Sequence, residues 1–232
     1  MTLSLKNFSL LYFGITALHL LVLVFELNTL HLIVKPLFMP ILMGMLYQLS
    51  TDRTSSFYKL MQFGLLFSWF GDIALMLDRE NPLLFIIGLS AFLIAHLGYA
   101  AAFIGSIKKS SATFQLPKAV LVAVPFILFT ALFFWKLQAG LGEMYIPVLA
   151  YTSVITLMGI IAALRAGHTE SENYRIILFG AVLFILSDCV IAWNKFVVDF
   201  NYDQVLNMSL YLSGQYFLAL GTLKYLHVTS GK

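Results

Sequence analysis

Charged and polar residues in this chain fall in short intervals, and long apolar stretches run between them. A helix needs about 20 predominantly apolar residues to cross roughly 30 Å of hydrocarbon. Eight stretches meet that length: 8–27, 31–49, 58–77, 82–106, 118–137, 144–165, 174–198 and 207–228. The connections are short, and the longest, Lys108–Lys118, is too small to fold alone. The pattern predicts an all-α fold, a polytopic transmembrane bundle of eight helices forming one integral membrane domain over residues 1–232. The first apolar segment runs on without a small-residue cleavage site and reads as a retained helix.

Composition sharpens this. The chain is 60% hydrophobic and only 11% charged, with mean hydropathy +0.90, against about 45–50% apolar and about 25% charged in soluble domains. The bilayer is therefore its expected partner. The basic pI near 8.9 comes from loops rather than from a basic domain, which gives no basis for a nucleic-acid partner. Cys189 is the one cysteine, so no intrachain disulfide is possible.

Basic loop residues set orientation, because Lys and Arg concentrate on the cytoplasmic side. One side collects ten: Lys6, Arg53, Lys59, Lys108, Lys109, Lys118, Arg165, Arg175, Lys224 and Lys232. The other collects four, Lys35, Arg79, Lys136 and Lys195. Both termini are expected to be cytoplasmic. Asp72 and Asp188 each lie fourteen residues from the inner ends of their helices, at Tyr58 and Tyr174. At about 1.5 Å per residue both carboxylates sit about 21 Å up, at one level. "FGLLFSWFGD" (Phe63–Asp72) and "FGAVLFILSD" (Phe179–Asp188) echo each other on the third and seventh helices, as a four-plus-four duplication would place them.

An ionisable residue within a span costs at least about 2.5–3.5 kcal/mol on insertion scales, so it tends to face the bundle interior and mark function. Two carboxylates sharing a buried site resist ionising together, which provides an acid and a base from identical side chains. The plainer reading of Asp72 and Asp188 is a hydrogen bond between helices, with Ser68 or Lys35 as partners. Lys35 either snorkels to the interface, grips a lipid phosphate or neutralises an aspartate, on a helix that Pro36 and Pro40 are placed to kink. His96 and Tyr99 share a helix face with Phe92 and Phe103. They read either as proton-capable groups on an aromatic wall or as ordinary interhelical packing. Tyr211 and Gln215 share a face of the eighth helix, where Gly214 allows close approach. His19, Asn194 and Lys195 are weaker candidates, and Cys189 points about 100° away from Asp188 and suits packing. No HExxH, Cys/His cluster, P-loop or GxSxG elbow occurs, so metal, nucleotide and serine-esterase chemistry lack support.

The order of "KP" at Lys35–Pro36, "FSWFGD" ending in Asp72, "FLIAHLGY" with His96 and Tyr99, "LFILSD" ending in Asp188 and "YLSGQY" around Gln215 resembles the YhhN-like family of eight-span membrane proteins. Its enzymatically defined members are lysoplasmalogenases. The resemblance covers roughly residues 30–225 and implies hydrolysis of the vinyl ether bond of a lysophospholipid, to a fatty aldehyde and a glycerophospho-amine, with no cofactor and no metal. It implies catalytic roles for Asp72, Asp188 and His96, and substrate contacts from Lys35, Tyr99, Tyr211 and Gln215. The rival expectation is a proton-coupled transporter that uses the same aspartates as a relay. Against it, no pair of clearly broken helices stands at matching positions in the two halves.

Overall fold

The computed structural model describes residues 4–77 and 81–230, so Arg79 and Lys232, both counted in the charge asymmetry, lie outside the described residues. Every regular element described is helical: α1 (Leu5–Val24), α2 (Asn28–Val34), α3 (Phe38–Leu49), α4 (Ser56–Leu77), α5 (Pro82–Lys108), α6 (Leu116–Leu137), α7 (Tyr145–Leu164), α8 (Ser171–Phe196) and α9 (Asp203–Ser230). A 3-10 turn over Lys35–Leu37 joins α2 to α3 as one rod, giving eight rods among the described residues. Their ends fall within four residues of the boundaries that hydropathy sets.

Local chemistry fixes several ends. The Ser4 hydroxyl accepts from the Asn7 N–H at 3.3 Å to start α1, and the Asn81 side chain accepts from the Leu83 N–H at 3.1 Å to start α5, with Pro82 at the first helical position. Between α3 and α4 the Asp52 carboxylate accepts from the Thr54 hydroxyl and from the Thr54 and Ser55 N–H groups. The Thr54 contacts above all hold its carboxyl below the usual range.

Seven rods are long and apolar enough to cross a membrane, which makes this a multi-pass membrane fold; the exception is α9. Its sequence is more polar because it packs inside the bundle, where Gln215 and Thr222 are fully buried and hydrogen-bonded. Of the two prolines in the second rod, Pro36 lies in the break, while Pro40 sits in the first turn of α3, where a missing N–H is tolerated. The carbonyl of Pro36 is taken by the Trp69 indole N–H at 2.8 Å.

The two closest helix pairs are α4 with α5 and α8 with α9. Glycines allow both. The Tyr99 ring lies over Gly64, and Gly180 meets the α9 backbone so closely that a Cβ there would stand 2.9 Å from the Gly214 carbonyl oxygen. Gly64 and Gly180 occupy the same place in the Phe-Gly…Asp echo, eight residues before each aspartate. Each half of the echo thus uses its glycine to seat the helix that follows it.

Candidate active site

Asp72, on α4, is 4% exposed and its Oδ2 accepts from the Tyr211 phenol of α9 at 2.8 Å. Tyr211 spends its one proton on Asp72, so its oxygen can only accept, here from Gln215 Nε2 at 3.4 Å. The same amide nitrogen reaches Ser68 Oγ at 3.0 Å, and Gln215 Oε1 accepts from the Tyr99 phenol at 2.9 Å. Four predicted residues, Asp72, Tyr99, Tyr211 and Gln215, therefore form one network with Ser68.

Asp188 and His96 belong to a second cluster. Asp188 Oδ2 accepts from the Tyr151 phenol at 2.6 Å, and His96 Nε2 lies 3.0 Å from that phenol and 3.4 Å from the same carboxylate oxygen. Because Tyr151 donates to Asp188, its oxygen accepts from His96, which places the imidazole proton on Nε2. His96 Nδ1 is buried and has no hydrogen-bond partner among the described residues. The chain His96–Tyr151–Asp188 polarises in one direction, and each member strengthens the next.

The two clusters are built alike: a tyrosine donates to the carboxylate and a second side chain donates to the tyrosine. Among the described residues no hydrogen bond joins them. Phe184 stands between them, its ring 4.7 Å from His96 and 5.2 Å from Tyr211, with Phe92 edge-on to both Phe184 and Tyr211. His96 and Tyr99 share a helix yet serve different carboxylates, and the Phe103 ring lies 5.4 Å from the Arg165 guanidinium. The carboxylates are still within electrostatic reach of each other, and Lys35 is within reach of Asp72.

Access separates the aspartates. Asp188, 15% exposed, lines a narrow groove of about 60 Å³ walled by Phe92, Phe129, Phe133, Ile155 and Cys189. Cys189, expected to be plain packing, thus forms part of the groove wall. A second cavity, about 890 Å³, opens at the bundle end where α8 finishes and α2 and α9 begin. Glu26, His31, Lys35, Asn194, Lys195 and Asp203 line it, and Leu75, Phe85 and Ile191 are common to groove and cavity. Lys35 enters this vestibule from deeper than its place in the sequence pattern implies. Since α2 starts at Asn28, Lys35 lies about 10 Å down the rod at about 1.5 Å per residue. His19 pairs with His31, Nε2 to Nδ1 at 3.2 Å, beside the vestibule.

Tyr151 is the residue that the sequence did not disclose. A tyrosine inside an apolar span, in "VLAYTSV", resembles any packing aromatic, and the one available signal was a phenol at a depth where it must find a partner. Among the described residues no group of three or more His, Cys, Asp or Glu side chains is arranged to hold a metal ion.

A helical bundle with a carboxylate–phenol–imidazole chain opening onto an apolar groove, and a polar vestibule above it, defines a multi-pass membrane protein with polar clusters buried between its helices. The chain belongs to the YhhN family, whose profile matches residues 30–222. It is 30% identical over 188 residues to lysoplasmalogenase TMEM86B of Rattus norvegicus, covering 80% of this chain and 70% of that protein. Against lysoplasmalogenase TMEM86B of Mus musculus it is 32% identical over 165 residues, covering 71% and 64% respectively. Against lysoplasmalogenase TMEM86A of Homo sapiens it is 30% identical over 164 residues, covering 69% and 64%. The chain thus spans about two thirds of the length of these relatives. No solved structure matches it.

Proposed function

We propose that this protein is a membrane-embedded lysoplasmalogenase, an ether hydrolase that cleaves the vinyl ether bond of a lysoplasmalogen to a fatty aldehyde and a glycerophospho-amine. The observation that carries the reading is the position of Asp188: it ends a polarised hydrogen-bond chain and faces an apolar groove that continues into a polar vestibule. That layout suits an amphiphile whose reacting bond lies between head group and chain. The names of the relatives agree with it.

The reaction requires a proton on the β-carbon of the alkenyl chain. Asp188 gives that proton, the C=C electron pair takes it up, and the α-carbon becomes an oxocarbenium ion beside the new carboxylate. Glycosidases stabilise the same kind of cation with carboxylates. Water adds at the α-carbon and returns a proton to Asp188, which leaves a hemiacetal. The hemiacetal hydroxyl then loses a proton as the glycerol oxygen gains one, and aldehyde departs. Tyr151 and His96 hold Asp188 oriented and relay protons between these steps. Asp72, behind Phe184 and Phe92, adds a second negative centre toward the cation and lies within electrostatic reach of Lys35, which receives the substrate phosphate. Tyr211, Gln215, Tyr99 and Ser68 fix Asp72 in place.

The groove is too small for a whole alkenyl chain, since pockets that enclose drug-sized ligands run to about 300–1,000 Å³. It takes the reacting end, and the remainder passes into the bilayer beside Phe129, which lines the groove and is 44% exposed. All eight rods, α9 included, cross the membrane as one unit with both termini cytoplasmic, which puts the vestibule on the outer side.

Purified protein is expected to release aldehyde from lysoplasmenylethanolamine or lysoplasmenylcholine. Asp188→Asn is expected to lose about 10³-fold or more in kcat, at the level of a positioned acid–base group. Full activity in folded Asp188→Asn would remove the carboxylate from the mechanism.

A further inference from the structure

Among the described residues the vestibule carries charged side chains at two depths. At its base is Lys35, about 10 Å down the second rod at about 1.5 Å per residue. At its rim is Asp203, the first residue of α9, half-buried and held in one orientation. Asn194 Nδ2 donates to Asp203 Oδ2 at 2.7 Å, and Asn194 Oδ1 accepts from the Phe200 N–H at 3.2 Å, so one amide ties the carboxylate to the loop that precedes it. Among the described residues Asp203 forms an ion pair with no Lys, Arg or His. Glu26, also on the rim, adds a second negative charge. Lys195, near the end of α8, lines the same cavity, with its ammonium 3.7 Å over the Phe85 ring.

We infer that the vestibule is a zwitterion site in which Asp203, pinned by Asn194, receives the quaternary or primary ammonium of the lipid head group while Lys35 receives its phosphate. This rests on the hydrolase reading for the identity of the lipid. The charge order is the one a lysolipid needs when its chain points into the groove: phosphate next to the glycerol, ammonium outermost. A rim carboxylate also repels a head group that ends in a phosphomonoester, because such a group carries additional negative charge and no ammonium. Selection for amine head groups is therefore carried by Asp203. An acid at this position also favours the helix dipole of α9, and that role alone would leave head-group preference unchanged.

The test compares binding and turnover separately. Binding is measured with saturated alkyl-ether lysolipids, which lack the reacting double bond: an alkyl glycerophosphoethanolamine, an alkyl glycerophosphocholine and an alkyl glycerol phosphate, competed in detergent against a labelled lysolipid. The wild type is expected to prefer both amine lipids over the phosphomonoester. In Asp203→Asn that preference is expected to fall about tenfold, as for loss of one charge-assisted contact, and Asp203→Glu is expected to retain most of it. Asn194→Ala, which frees the carboxylate without removing it, is expected to give a smaller loss in the same direction. An unchanged preference in folded Asp203→Asn overturns the inference and leaves Asp203 as a helix-end residue. Turnover of the corresponding alkenyl lipids judges the hydrolase reading independently. Amine-selective binding without aldehyde release leaves the head-group site standing and removes the hydrolase. Aldehyde release with head-group preference unmoved by Asp203→Asn does the reverse.

Discussion

At the residue scale, the two aspartates that sequence marks as equals are separated by their surroundings. Asp188 has the groove, the phenol and the imidazole; Asp72 has a closed network and the nearby charge of Lys35. That both lie inside apolar helices was legible, because a carboxylate in an apolar span is rare enough to stand out. Their partners were not, since hydrogen bonds between residues 37 or 139 positions apart leave no local pattern. Tyr151 makes the difference testable. Tyr151→Phe removes the 2.6 Å hydrogen bond and keeps the ring, so kcat is expected to drop about 10–100-fold with KM nearly unchanged, measured by aldehyde release. Tyr211→Phe acts on the carboxylate farther from the groove and is expected to cost less in kcat. A larger loss for Tyr211→Phe would exchange the roles assigned to Asp72 and Asp188.

At the element scale, the rods were readable because hydrophobic length and short polar connections leave little choice. The break at Lys35–Leu37 was visible as two prolines, but only packing shows that Pro36 alone marks it and that Trp69 takes the freed carbonyl. Glycine pairing is the other device that spacing alone understates. Gly214 faces backbone: an added Cβ would stand 3.0 Å from the Gly180 carbonyl oxygen and from the Phe184 nitrogen, neither of which can swing aside. Gly214→Ala is expected to destabilise by about 1–3 kcal/mol, as overpacking does, read as a lower midpoint of unfolding in detergent. Gly105, also helical, would meet nothing within 4 Å. There the change to alanine is expected to be neutral or to stabilise by up to about 1 kcal/mol, through helix propensity.

At the scale of the whole molecule, the two ends of the bundle have opposite character. The vestibule end is open and polar, whereas toward the other end Arg165 is fully buried, with no carboxylate in contact among the described residues. Its guanidinium donates to Ser106 Oγ at 2.9 Å and to Asn173 Oδ1 at 2.6 Å, with the rings of Phe57, Phe103 and Tyr225 around it. One side chain thereby joins α4, α5, α7, α8 and α9. Hydropathy had counted Arg165 only as a loop charge, because a sequence does not show that a span-end arginine is enclosed by rings from three other helices. Arg165→Ala is expected to cost about 2–5 kcal/mol, in line with emptying a core site, again read by unfolding in detergent. A groove flanked by the exposed Phe129 also predicts weak chain-length selection. A sealed pocket would discriminate about fourfold per methylene, from about 0.8 kcal/mol each. Lysoplasmalogens that differ by two carbons at the chain terminus are expected to show nearly equal kcat/KM.

The central claim is proton delivery by Asp188 to the β-carbon of a vinyl ether, and turnover in deuterated water examines it most directly. The account predicts one solvent deuterium on the carbon next to the carbonyl of the released aldehyde, and no such product from folded Asp188→Asn. Aldehyde carrying no deuterium at that carbon, or labelled aldehyde formed at an undiminished rate by Asp188→Asn, would contradict it.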